Sequence, residues 1–111
     1  MGLVISTDMA ESAVVVHAEG DLDVYTAPRL KEVLDEHVAG AKRLVLDLSE
    51  VHFIDSTALA VLVGALQQSQ ATDGEFRLVV SDPFLLKIFH ITGFDGIFPI
   101  YPAVAEALDG V

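Results

Sequence analysis

The chain passes from a strand to a helix in the stretch Val51-His52-Phe53-Ile54-Asp55-Ser56-Thr57-Ala58-Leu59. An apolar run with one acid, Leu44–Leu48, precedes it, and a long apolar segment follows it. The polar centre, Asp55-Ser56-Thr57, stands where the helix is predicted to begin. Backbone N–H groups are unpaired at such a position, and the helix dipole favours negative charge there. A hydroxyl at this place either caps the helix or carries a phosphate that the helix end tolerates, and the residues by themselves leave both interpretations open.

On either side of this stretch, the hydrophobic pattern alternates between strands and helices. The predicted strands are Leu3–Thr7, Ala13–Glu19, Arg43–Leu48, Phe76–Val80 and a short edge strand at Ile97–Ile100. Four helices are predicted. The first has Thr26 as N-cap and ends at Gly40, and the second spans Ala58–Gln70. The third starts at Ser81-Asp82-Pro83 and ends at Gly93, and the fourth spans Pro102–Leu108. Loops are expected at Gly20–Asp23 and through Glu50 and His52.

This order predicts an α/β fold. The alternation favours a largely parallel sheet, and the two opening strands form a hairpin that adds an antiparallel element. We expect one domain over residues 1–111, with a mixed sheet of four to five strands and about four helices that cover it in one layer. In such folds, sites favour the loops at the carboxyl ends of the strands, where Gly20–Asp23 and Asp55–Thr57 both lie.

Composition excludes several classes of function. The net charge is −11, from 17 acidic and 6 basic residues. Such a chain is repelled by nucleic acid and by anionic lipid, so neither direct nucleic-acid binding nor membrane insertion is expected, and a partner with a basic face is favoured. No apolar run reaches the roughly 18–20 residues that span a bilayer. Cysteine is absent, which suits a cytoplasmic protein without disulfides or thiolate chemistry.

Other chemistries find little support in the sequence. Asp47 follows an apolar run as the acceptor of a receiver domain does, but neither the acid pair after the first strand nor the lysine after the last strand of such a domain is present. The four histidines come from four different elements without metal-ligand spacing. Neither a Gly-x-Ser-x-Gly elbow nor a Gly-rich phosphate loop occurs. We therefore expect no enzyme activity, no metal and no cofactor.

A family resemblance covers nearly the whole chain in order. The segments that carry it are Leu44–Ser49, Phe53–Leu59, Gly20–Asp23, the helix start Thr26–Pro28, Thr92–Phe94 and Ile97–Tyr101. Together they resemble the STAS domain of the anti-sigma factor antagonists. The chain departs from that family at Ala58, where the family usually has glycine.

The resemblance implies that Ser56 is a phosphoacceptor and that the protein switches partners. Unphosphorylated antagonist would bind an anti-sigma factor that is also a serine kinase, phosphorylation of Ser56 with ATP would weaken the complex, and a phosphoserine phosphatase would reset it. The implied partner-binding residues are Asp21, Asp23, Asp55, Ser56, Thr57 and Ala58. The alternative is a STAS scaffold or transporter-regulating subunit without phosphorylation, motivated by Ala58 and by the apolar outer side of the second helix at Val61 and Ala65. The preferred interpretation is that this side of the helix packs in the core, and the less favoured one is that it forms an interaction face.

Overall fold

Five strands form one mixed sheet in the computed structural model, which describes residues 2–9 and 12–109. The strands are β1 (Leu3–Met9), β2 (Ala13–Leu22), β3 (Arg43–Ile54), β4 (Glu75–Val79) and β5 (Ile100–Tyr101), in the spatial order β1-β2-β3-β4-β5. The helices are α1 (Ala27–Val38), α2 (Ser56–Ala71), α3 (Pro83–Ile91) and α4 (Val104–Ala107), with a 3₁₀ turn at Phe94–Gly96. The predicted α/β fold with a mixed sheet is confirmed.

The connections between strands explain where the helices lie. β1 is antiparallel to β2, and all later neighbours are parallel. Each parallel strand is added on the same side of the previous one, so right-handed crossovers bring α1, α2 and α3 to one face. Leucines from these helices and from the strands fill the main core on that face.

The prediction of a single helical layer is wrong for α4. Val15, Val45 and Val79 point away from the main core. They are covered by Val104 and Ala107 of α4 and by Leu108, which follows it. Strands that are apolar on both faces need cover on both, and the short last helix supplies it on the second face.

β2 and β3 are longer than predicted, and this extension shapes the candidate site. The segments expected as loops at Gly20–Asp23 and around Glu50 and His52 continue as strand to Leu22 and Ile54. Residues near the two ends still pair, Asp21 with Phe53, but with register shifts that break the regular alternation. The amide of Asp55 then donates to the carbonyl of Leu22 at 3.0 Å. The two strands therefore end side by side.

The carboxyl-terminal elements are shifted slightly from their predicted bounds. The edge strand β5 is Ile100–Tyr101 instead of Ile97–Ile100, because Phe98 turns into the core between the 3₁₀ turn and the strand. Its ring packs edge-on against Phe76 and Phe89. The last helix is limited to Val104–Ala107.

Candidate functional site

The turn between β3 and α2 is capped by Asp55. The backbone of Asp55 is extended, and its side chain accepts a hydrogen bond from the amide of Ala58 at 3.0 Å. This bond satisfies one of the orphan amides of the first turn, and the carboxylate charge suits the positive end of the helix dipole. The capping group is therefore the carboxylate of Asp55, and neither the hydroxyl of Ser56 nor that of Thr57 makes the capping bond.

Ser56 and Thr57 occupy the first two positions of α2, and both are exposed. The next residue behaves differently, since Ala58 is 0% exposed and packs in the main core. Its methyl group points into the protein, away from any partner that approaches the hydroxyls. The departure from glycine therefore changes the packing under the turn and leaves the exposed surface as it was.

A second turn, between β2 and α1, lies beside the first and is built by Asp23. One carboxylate oxygen of Asp23 accepts from the amides of Tyr25 and Thr26 at 2.9 and 3.0 Å. Thr26 occupies the N-cap position as predicted but makes no capping bond with its side chain. Its hydroxyl donates to the carbonyl of Asp21 at 2.8 Å instead. Asp23 thus holds the loop in shape, and both it and Asp21 remain partly exposed.

His52 ties this edge of the sheet to the start of α3. Its Nδ1 lies within hydrogen-bond distance of Asp82 Oδ2, while Asp82 Oδ1 caps α3 by accepting from the amide of Phe84 at 2.7 Å. The hydrogen bond to Asp82 raises the pKa of His52 above its ordinary value, and the nearby charges of Glu50 and Asp21 act in the same direction. The site is therefore rimmed by acids from three elements.

Exposed hydrophobic side chains lie among these acids, and the sequence had not led us to expect them there. Tyr25 is 87% exposed and Phe53 45%, and Val24 and Phe84 are also largely exposed. Tyr25 follows Asp23 by two residues, and Phe53 precedes Asp55 by two. The signal available in the sequence was an aromatic residue two positions from the aspartate of each polar turn, at places where the core does not require a large apolar side chain.

The outer side of α2 is partly core and partly open. Ala65 is buried and Val61 packs against the main core, which confirms the first interpretation of these two residues. A shallow apolar groove runs along the neighbouring face of α2 from Ser56 to Gln67, with Thr92 and Phe94 on its far side.

Asp47 lies outside the site. It sits within β3, not at its end, and its side chain pairs with His17 on the face that carries α4. Within the described parts of the chain, no group of three or more His, Cys, Asp or Glu side chains is arranged to hold a metal ion.

Comparison with known proteins places this geometry in a family. The STAS domain family model matches residues 5–107. The anti-sigma-B factor antagonist of Listeria monocytogenes is 37% identical over 86 residues, which cover 77% of this chain and 75% of the relative. The crystal structure of an anti-sigma factor antagonist from Mycobacterium paratuberculosis superposes with a TM-score of 0.90 at 32% identity, covering 99% of this chain and 94% of the other.

The same fold occurs in a protein known in two modification states. The Bacillus cell fate determinant SpoIIAA has been solved in unphosphorylated and phosphorylated forms, which match with TM-scores of 0.81 and 0.73. Both are 18% identical, and each likeness covers 96% of this chain and 94% or 97% of SpoIIAA. At 18% identity, the similarity to SpoIIAA shows that the two proteins share a fold and shows nothing more.

The chain belongs to the STAS domain family. Its sequence relatives carry the name anti-sigma-B factor antagonist, so the resemblance stated from the motifs is confirmed. Among residues 2–9 and 12–109, none of the helices has the length and apolar character that crossing a membrane requires.

Proposed function

We propose that this protein is an anti-sigma factor antagonist that binds an anti-sigma factor with serine kinase activity and is switched off by phosphorylation at Ser56. The observation that carries the proposal is the exposed hydroxyl of Ser56 on the first residue of α2, beside a cap that Asp55 already provides. Thr57 is exposed as well, and the resemblance of the motif to that of the family favours Ser56 as the acceptor. The relatives named anti-sigma-B factor antagonist support the class of partner.

The docking surface we propose combines acids, hydroxyls and exposed hydrophobic side chains at the ends of β2 and β3. It consists of Asp21, Asp23, Val24, Tyr25, Phe53, Asp55, Ser56 and Thr57. Ala58, which the family resemblance included, is left out because its side chain is buried. Aromatic residues surrounded by polar ones are typical of the side chains that contribute most to binding. A partner with an apolar pocket and a basic rim fits this surface, and the charge of −11 favours its approach.

A phosphate on Ser56 would disrupt docking without disrupting the fold. It adds a charge of about −1.5 to −2, and the amino-terminal end of α2 tolerates that charge. The structure of SpoIIAA in its phosphorylated form supports the expectation that this fold tolerates a phosphate. A docked partner, in contrast, would have to desolvate a dianion next to Asp55, Asp21 and Asp23, which disfavours binding.

The remaining parts of the cycle lie outside this chain. The partner kinase binds ATP and transfers its γ-phosphoryl group to Ser56, with ADP as the leaving group. A phosphoserine phosphatase removes the phosphate, and the antagonist itself needs no cofactor and performs no catalysis. We propose that the cycle runs in the cytoplasm, where sigma factors act.

The phosphorylation site is tested with a candidate anti-sigma factor kinase and ATP. Wild type is expected to gain one phosphate by mass spectrometry, and Ser56→Ala to gain none. Thr57→Ala is the matched control, because Thr57 is also exposed, one residue further along α2, and the loss of its hydroxyl is expected to leave phosphorylation intact. Incorporation that persists in Ser56→Ala, or disappears in Thr57→Ala, would move the acceptor away from Ser56.

The alternative, a scaffold or transporter-regulating subunit without phosphorylation, now rests on the apolar groove along α2 alone. Ala58 no longer supports it, since the methyl group is buried. Binding of a partner that is indifferent to the modification state of Ser56 would favour this alternative.

A further inference from the structure

The second face of the sheet carries a histidine held between two carboxylates from different strands. His17 lies on β2, with its Nδ1 2.8 Å from Asp47 Oδ2 on β3 and its Nε2 2.9 Å from Asp8 Oδ2 on β1. The imidazole therefore spans three neighbouring strands of the sheet. This cluster is separate from the Ser56 turn, because Asp47 faces the side of the sheet that carries α4.

The geometry favours one protonation state of the ring. A neutral imidazole has one N–H donor and one acceptor, whereas an ionised carboxylate only accepts. Both contacts of His17 are satisfied together only if both ring nitrogens donate. The side chain of Asp8 is largely exposed to water, and the other oxygen of Asp47 accepts from the amide of Ser49 at 3.0 Å. The arrangement thus favours a positively charged ring.

The position of β1 makes this bridge consequential. Among residues 2–9 and 12–109, β1 is the outer strand of the sheet and its backbone pairs with β2 alone. The bond between Asp8 and His17 adds a side-chain contact to this attachment. Its first residue, Leu3, lies in the main core and pairs with Gly20, immediately before Asp21. The bond between His17 and Asp8 therefore holds the end of β1 opposite to Leu3, the end that the main core does not hold.

We infer that His17 is an imidazolium clamp that fastens the edge strand β1 to the central strand β3, so that loss of its proton loosens β1 from the sheet. The charged groups that face the ring are Asp8 from β1 and Asp47 from β3. Burial opposes the charge, but the hydrogen bonds and charges of the two carboxylates outweigh it and raise the pKa of His17. The bonds from Ser49, followed by those from His17, lower the pKa of Asp47 against its own burial.

The raised pKa of His17 determines the direction of the pH effect. A group that binds its proton more tightly in the folded state contributes its full stabilisation below its unfolded pKa of about 6.5. That stabilisation is lost as pH rises through the folded value. The attachment of β1 is therefore strongest in mild acid and weakens in alkaline solution, the reverse of the behaviour of a stabilising carboxylate.

The clamp is tested on the whole protein by NMR. Side-chain ¹⁵N spectra recorded from about pH 5 to about pH 9 follow the protonation of each histidine, and hydrogen exchange over the same range gives protection factors for the amides of β1. His17 is expected to show two protonated nitrogens and to titrate above the ordinary histidine value. Protection in β1 should fall across that titration, by about tenfold for each unit by which the pKa of His17 is raised.

Two variants and one control identify the cause. His17→Gln should remove the pH step in β1 protection, and Asp8→Asn, which changes only an exposed side chain, should reduce it while the fold is kept. His90→Gln is the control, because His90 makes a similar bond to Asp95 on the surface, away from the sheet. The inference is overturned if His17 titrates at or below the ordinary value, if β1 protection does not change with pH, or if Asp8→Asn leaves the step unchanged.

Discussion

Replacement of Asp55 by alanine separates the structural role of the β3–α2 turn from the regulatory role that we propose for it. The substitution removes the carboxylate that accepts from the amide of Ala58 at 3.0 Å and leaves that amide without its partner in the first turn. Loss of an N-cap costs typically about 1 kcal/mol, within a range of about 0.5–2 kcal/mol. The lost interaction with the helix dipole adds about 0.3–1 kcal/mol. We expect Asp55→Ala to lower the free energy of unfolding by about 1–2 kcal/mol in total.

The assay is urea denaturation followed by circular dichroism, with two matched variants. Asp55→Asn keeps a capping oxygen and removes the charge, so it should lose only the dipole part. Ser56→Ala changes the neighbouring exposed side chain, which makes no capping bond, and should stay within about 0.5 kcal/mol of wild type. The reasoning is refuted if Ser56→Ala destabilises as much as Asp55→Ala, because the serine would then be part of the cap.

Two further predictions concern the framework around the site. Gly20 has a φ of 124°, and a Cβ there would collide with the carbonyl oxygen of Gly2, so Gly20→Ala should destabilise by more than about 1 kcal/mol. Gly64→Ala, in a helix position with open space, should instead stabilise by up to about 1 kcal/mol, and equal effects in urea melts would contradict this. Phe89 is fully buried, so Phe89→Ala should cost about 3–5 kcal/mol, whereas the exposed Phe84→Ala should change the denaturation midpoint little.

The order of elements was predictable because the apolar periodicity is strong in the central segments. Leu44–Leu48 and the run after Ala58 set a strand and a helix, and the structure has both. The extension of β2 and β3 was not predictable, because the shifts in register at Gly20 and near Glu50 interrupt the alternation by which a strand is recognised. The polar residues there looked like loops although they pair across strands.

The candidate site was predictable in position and less so in the role of each residue. Asp55-Ser56-Thr57 contains three residue types that favour an N-cap, and only the backbone geometry shows that Asp55 has that role. The side-chain pair of His17 and Asp47 joins residues 30 positions apart, and local patterns carry no information on such a contact. The position of α4 on the second face could not be predicted either, because its four residues are too few to show a clear apolar stripe.

The central claim is that a phosphate on Ser56 prevents docking to the anti-sigma factor. The most direct test is isothermal titration calorimetry of the anti-sigma factor with the unphosphorylated protein, with the enzymatically phosphorylated protein, and with Ser56→Ala. We predict equal affinity for the unphosphorylated protein and Ser56→Ala, and a dissociation constant at least about tenfold higher for the phosphorylated form, which corresponds to about 1.4 kcal/mol. Equal dissociation constants for the phosphorylated and unphosphorylated forms would contradict the claim.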